Sequence, residues 1–303
     1  MVKHSFKTLP ALLLLALLFT RCTEDRFSQV VEIDLPEHEP LLAVAAEFSN
    51  LDTSHTVVVT RTWGTLQKPP EPRVSNATVR MYRDGNLIGE FVQDTFSSNF
   101  YRQAALPVWQ PDGAVYRLEV SAPGYKTVAA GQKILPAIPI LKATFDAGGA
   151  VTPDGDKGDE YTLEWNDPAG EENYYAVRAF TESFYTDLDG DTIWYSNSIY
   201  LESFDPLYEG GAFGELLVSD ASFNGRKATL RAWEYERLFP QRTRLIFHLV
   251  HLPKDKYLQA RSLTQYQNNE GNPFTEPVTI HSNIENGVGL FSMETVSKYL
   301  IEL

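Results

Sequence analysis

The chain has 303 residues, 43% of them hydrophobic, with 40 acidic against 26 basic side chains and a formal net charge of −14. That length accommodates two domains of ordinary size with real cores, and the acidity argues against nucleic acid as a partner, because phosphate contacts need clustered Lys and Arg. A single cysteine, Cys22, excludes a disulfide within the chain.

Residues 1–21 read as an export leader, with Lys3, His4 and Lys7 as a positive head and Pro10 to Phe19 as the apolar segment. A helix of that length reaches only about 15 Å, roughly half of a bilayer's ~30 Å hydrocarbon core, so the segment is not a transmembrane anchor. Cys22 follows directly and is the expected lipidation site, its thiolate accepting the diacylglycerol once the leader is cleaved. Arg21 departs from the small residue usual before such a cysteine. Burial of Cys22 among Arg21, Thr23, Glu24 and Asp25 is a poor alternative. Two or three acyl chains, at roughly 0.8 kcal/mol per buried methylene, would hold the protein at a membrane almost permanently. Residues 22–40 then form a polar, proline-punctuated tether.

From Leu41 the pattern turns to strands, and residues 41–137 are expected to form an immunoglobulin-like β-sandwich. Strands are predicted at Leu41 to Phe48, Thr56 to Thr62, Thr78 to Arg83 and Leu87 to Val92, with Asp84-Gly85-Asn86 as a hairpin turn. Tyr116, Leu118 and Val120 alternate with Arg117 and Glu119, which gives one buried and one wet face. Pro123-Gly124 turns the chain into Lys126 to Gln132. The stretch from Ala122 to Ala130 resembles the last hairpin of carboxypeptidase-regulatory-like modules, and Pro136 with Pro139 marks a boundary.

Residues 138–303 are expected to form a second β-rich, sandwich-like domain, making the whole chain mainly all-β. Tyr161, Leu163 and Trp165 face one way, with Thr162 and Glu164 the other. Asn173 to Phe180, Lys227 to Trp233 and Thr243 to His251 continue the strand pattern, and Asn224-Gly225 reads as a hairpin turn. His38 is assigned to the tether and His55 to a turn. Lys254 to Gln267, introduced by Pro253, is the one predicted helix. Strands are expected around Val278 to His281, Gly289 to Met293 and Ser297 to Ile301.

The run from Asn272 to Val278, followed by Ser282 to Phe291, closely resembles the ending of a Bacteroidetes lipoprotein family catalogued as domain of unknown function 4249. Tyr257 to Leu263, the strand at Leu41 to Glu47 and the approach from Ser75 to Val79 match the same family. The resemblance covers nearly the whole chain after Cys22. It implies an outer-membrane lipoprotein in the company of a TonB-dependent transporter, with no assigned chemistry. Thr23-Glu24-Asp25 also looks like the acidic signal that sends such lipoproteins to the outer face of that membrane.

Within this ending, Asn286-Gly287-Val288-Gly289 supplies residues able to take positive φ before the apolar strand Leu290 to Met293, and Asn283 can cap the loop. Structural loop-making is the preferred role for these residues over ligand binding by Asn283, Glu285 and Asn286.

Two acidic loops, Asp154 to Glu160 and Asp187 to Asp191, place carboxylates two apart as calcium loops do. Neither completes an EF-hand. Solvated turns are the preferred reading, with Asp187, Asp189 and Asp191 kept as the calcium candidate and no other cofactor expected.

The stretch from Thr181 to Gly214 carries acids and aromatics but no Lys or Arg. Some of its rings should fill the second core. Tyr185, Trp194, Tyr195, Phe204 and Tyr208 are the expected ligand or partner contacts, because such rings combine apolar area with a polar handle.

Enzymatic readings fare worse. His248 and His251, three apart on a strand, face opposite ways and do not form a zinc pair. No Gly-x-Ser-x-Gly elbow, phosphate loop or HExxH occurs. A chain with 40 acids always offers carboxylate pairs, so none is singled out. The expectation is therefore a non-enzymatic binding or accessory subunit for TonB-dependent uptake, lipid-anchored in the outer membrane and facing outside, whose ligand the sequence does not name. A structural or adhesive surface module is the alternative, and a cryptic glycan or peptide hydrolase the third reading.

Overall fold

The structure, a computed structural model, describes residues 38–64, 73–97, 99–104, 110–186, 189–235, 244–272 and 274–303. The leader, Cys22, the tether up to residue 37 and Asp187 lie outside the described residues.

Strands β1 (Leu42–Ser49), β2 (Ser54–Arg61), β3 (Thr78–Arg83), β4 (Asn86–Gln93), β5 (Phe100–Ala104), β6 (Val115–Ser121) and β7 (Val128–Lys133) come first. Alternation drives them: Leu42, Val44, Ala46 and Phe48 of β1 point inward, as do Tyr116, Leu118 and Val120 of β6. The β3–β4 turn holds Asp84 and Gly85 at φ 49° and 79°, the backbone that Asp-Gly supplies. The strands hydrogen-bond in the order β1-β2-β5-β4-β3-β6-β7, and the row curls around one core. His55 is not in a turn. It sits in β2, buried, its ring stacked 4.5 Å from that of Phe48.

Next come β8 (Ile140–Val151), β9 (Lys157–Asn166), β10 (Tyr174–Thr186), β11 (Thr192–Ile199), the short β12 (Glu202–Ser203) and β13 (Glu209–Gly210), and β14 (Leu216–Ser219). The chain ends with β15 (Lys227–Tyr235), β16 (Arg244–Leu252), helix α1 (Lys254–Asn269) and β17 (Val288–Glu302). A small sheet, β12-β15-β9-β8, faces a larger one containing β13-β14-β10-β16-β17. Between them lies a second core of Tyr161, Leu163, Trp165, Tyr175, Val177, Leu230, Phe247 and Leu249. Helix α1 covers the other face of the larger sheet, where Tyr257 and Ala260 pack with Tyr174, Ala176, Val250 and Val296. Two covered faces explain the unbroken burial of Tyr174 to Val177 and Leu249 to Leu252. The architecture is all-β and sandwich-like, with one α-helix of several turns among the described residues.

Strand β17 belongs to both layers. Val288–Glu294 runs parallel to β1, and Thr295–Glu302 runs antiparallel to β16. Phe291 and Met293 therefore enter the first core, beside Ile284 of the preceding loop, while Tyr299 and Ile301 pack against the second. The proline-marked connection is anchored likewise: Ile134 is in the first core, Ile138 in the second, and the Leu135 carbonyl accepts from Thr295 Oγ1 at 2.8 Å.

Three local expectations are corrected. Residues Val278 to His281 form no strand; the His281 N–H donates instead to Ser262 Oγ on α1 at 2.9 Å. Gly289 to Met293 and Ser297 to Ile301 are one strand rather than two. Asn224-Gly225 closes no hairpin, because β14 pairs with β10 and β15 with β9. Asn224 instead ties loops together, donating to the Glu171 carbonyl and to Asp220.

Candidate functional site

Strand β16 pairs with β10 only from Tyr174 to Glu182, whereas β11 stays paired with β10 out to Thr186. The β10–β11 hairpin therefore extends past its neighbour as an arm. Alternation assigns its rings to two faces. On one, Phe184 lies 5.1 Å from Trp194, and the Arg244 guanidinium sits 4.9 Å over the Trp194 ring. Arg244 is held there by Glu302 at 3.1 Å and Glu182 at 3.6 Å. On the other, Tyr185 and Tyr195 are 6.1 Å apart. Tyr185 is 52% exposed and Trp194 49%, and every side chain from Thr192 to Ser198 is exposed. Among the described residues no strand pairs with the outer edge of β11.

The five aromatic residues singled out from the sequence do not share one surface. Tyr185, Trp194 and Tyr195 are on the arm. Phe204 is exposed beyond β12, against Trp233 and under the Arg231 guanidinium at 5.3 Å. Tyr208 is a core residue instead, 7% exposed, set edge-on to Trp165 with its hydroxyl donating to the Thr229 carbonyl at 3.2 Å. A ring in an acidic segment looks the same in sequence whether it faces water or fills a core.

Asn283, Asn286, Gly287 and Gly289 dock β17 onto the first core. Asn283 accepts from the Phe291 N–H at 2.9 Å and donates to the Phe291 carbonyl at 2.8 Å, mimicking a strand partner. Positive φ falls on Asn286 (59°) and Gly289 (119°). At Gly287 the constraint is space, since a Cβ would lie 2.6 Å from the Leu42 carbonyl oxygen.

Asp189 and Asp191 are exposed. In the first acidic loop, Asp154 accepts from the Tyr235 hydroxyl, Asp159 from the Gly148 N–H, and Glu160 pairs with Arg231. Among the described residues no group of three His, Cys, Asp or Glu side chains is placed to hold a metal ion. His248 and His251 do lie on opposite faces. His248 is beside Phe180, and His251 stacks on Tyr175 with its ring nitrogens 2.9 Å from the Pro136 carbonyl and 3.1 Å from Asn173 Oδ1.

Sequence reasoning missed a cluster of charges at the base of the arm: Glu47 of β1, Arg178 of β10, Lys256 of α1, Glu294 of β17, and Glu215 just before β14. These positions are far apart along the chain. The one local signal was Arg178, a lone charge inside the apolar run Tyr174 to Phe180.

The family model described as domain of unknown function (DUF4249) matches residues 29–299, and the chain belongs to that family. No curated protein matches it.

Proposed function

We propose, with that family membership as the premise, that the chain is a lipid-anchored outer-membrane protein facing outside. In this reading it acts as a non-enzymatic binding or accessory subunit for TonB-dependent uptake and meets its partner through the β10–β11 arm. The observation that carries the reading is the arm itself, which holds Phe184, Tyr185, Trp194 and Tyr195 in water on both of its faces. Exposed aromatic clusters of this kind are favoured at contact surfaces, and an open strand edge adds backbone donors and acceptors for a partner. The anchor rests on Cys22 behind its apolar leader and on the acidic residues that follow it.

Affinity capture from membranes tests the partner. Tagged wild-type protein should recover a TonB-dependent transporter, and the Tyr185→Ala/Trp194→Ala double variant should lose most of it while melting at the wild-type temperature. A wild-type capture without a transporter would sink the reading. A strain lacking the protein that grows normally on limiting nutrient but no longer attaches to surfaces would favour an adhesive role. Cys22→Ala should move the protein from the membrane to the soluble fraction; retention in the membrane would remove the anchor.

A further inference from the structure

We infer that the pocket at the base of the arm is a binding site for an organic cation, the ammonium or guanidinium group of a basic side chain presented by a peptide. The pocket has a volume of about 260 Å³, and its lining includes Glu47, Arg178, Phe180, Phe213, Glu215 and Lys256. Its volume suits one side-chain head group better than an extended ligand.

The charges decide the sign of the ligand. Arg178 donates to both carboxylate oxygens of Glu294, at 2.8 and 3.3 Å. Lys256, itself buried, donates to Glu47 at 2.5 Å. Both cations are thus matched within the protein. Glu215 is a third carboxylate, 4% exposed and in the lining of the pocket; its backbone carbonyl accepts from the Gly211 N–H at 2.7 Å, whereas among the described residues no donor bonds its carboxylate oxygens. Its cationic neighbour Arg178 is already committed to Glu294. Two cations against three carboxylates leave one negative charge in excess, on a side chain that lines the pocket and is largely removed from water, where a charge with no bonded partner is costly. An incoming cation with N–H donors supplies both the charge and the hydrogen bonds. An anion would add to the excess.

The walls select the type of cation. Phe180 and Phe213 contribute ring faces or edges, and rings attract ammonium and guanidinium groups while packing against their methylene stems. Phe213 is 67% exposed and forms an accessible rim. A bare metal ion gains nothing from such walls, and the described residues offer no three-ligand cluster for one. Ser198 and Ile199, at the end of β11, also line the pocket. With Phe213 and Gly214 they bring the end of the acidic stretch from Thr181 to Gly214 to the pocket wall, and the net negative charge of that stretch favours a basic peptide. Binding at this pocket depends neither on the transporter nor on lipidation.

Titration calorimetry on the full chain tests it with three probes: N-acetyl-lysine amide, its isosteric norleucine analogue, and cadaverine. The lysine probe should bind at least about tenfold more tightly than norleucine, the discrimination expected for a charged hydrogen bond. Glu215→Gln should erase that preference. Cadaverine should bind more weakly than the lysine amide; tighter binding by cadaverine would overturn the assignment to a peptide side chain in favour of a free amine. Phe213→Ala, at the exposed rim, should weaken the lysine probe several-fold at an unchanged melting temperature, which keeps the test decisive should Glu215→Gln fail to fold. Equal binding of lysine and norleucine probes, no binding of either at millimolar concentration, or wild-type affinity in both variants would refute the site.

Discussion

Gly289 occupies a backbone position, φ 119°, that L side chains rarely adopt, and a Cβ there would overlap the carbonyl oxygen of Val44 in β1. Gly289→Ala should therefore destabilise the fold by about 2–3 kcal/mol or more, read as a lower urea midpoint. An unchanged midpoint would mean that β17 does not approach β1 this closely. His248 makes a second prediction at this scale. Burial, then Lys298 and Arg178, push its pKa down from 6.5 to about 4. The unfolded chain thus takes up a proton that the folded chain refuses, so this contribution to stability is complete above pH 6.5 and falls as pH drops toward 4. His55 and His251 are shifted in the same direction, chiefly by burial. Urea midpoints should decline between pH 7 and 4.5, and His248→Gln should lessen the decline; an equal slope in the variant would exclude His248 as a source.

At the scale of elements, legibility in the sequence followed the wetting of the strands. Those with one buried and one wet face, such as β1 and β6, announce themselves by alternation, and their predicted spans nearly coincide with the observed ones, whereas β9 begins four residues before the alternation that marked it. Strand β11 is exposed throughout most of its length and carries no alternation to read. The converse failure is Val278 to His281, whose pattern suggests a strand. Its surroundings offer α1 rather than an open sheet edge, and His281 is held there by Asp255 at 2.8 Å. The arm carries its own prediction. Because Phe184, Tyr185, Trp194 and Tyr195 belong to none of the buried cores, replacing residues 184–194 by Asn-Gly should change stability by no more than about 0.5–1 kcal/mol. A collapse of the melting temperature would show instead that the arm is structural.

For the molecule as a whole, β17 is the element that matters most, since this one strand joins the β1–β7 row to the larger sheet and contributes to both cores. Residues Glu39–Leu303 form one compact unit. Calorimetry of the full chain should accordingly give a single unfolding transition for residues 39–303, because losing β17 from one core removes it from the other. Two well-separated endotherms would contradict this coupling.

The all-β class, most strands, the helix and the family were legible from the chain alone, because these depend on local periodicity, turn chemistry and a short distinctive ending. The sequence also marked the aromatic, acidic stretch as unusual. Which of those rings face water, that Tyr208 is core while Tyr185 and Trp194 stand on an arm, and that β17 joins two cores emerged with the folded structure. It alone gathered Glu47, Arg178, Glu215 and Lys256 around one pocket, with Glu294 bonded to Arg178. The reason is physical: burial and charge pairing arise from neighbours distant along the chain, whereas alternation and turns are written in residues next to one another.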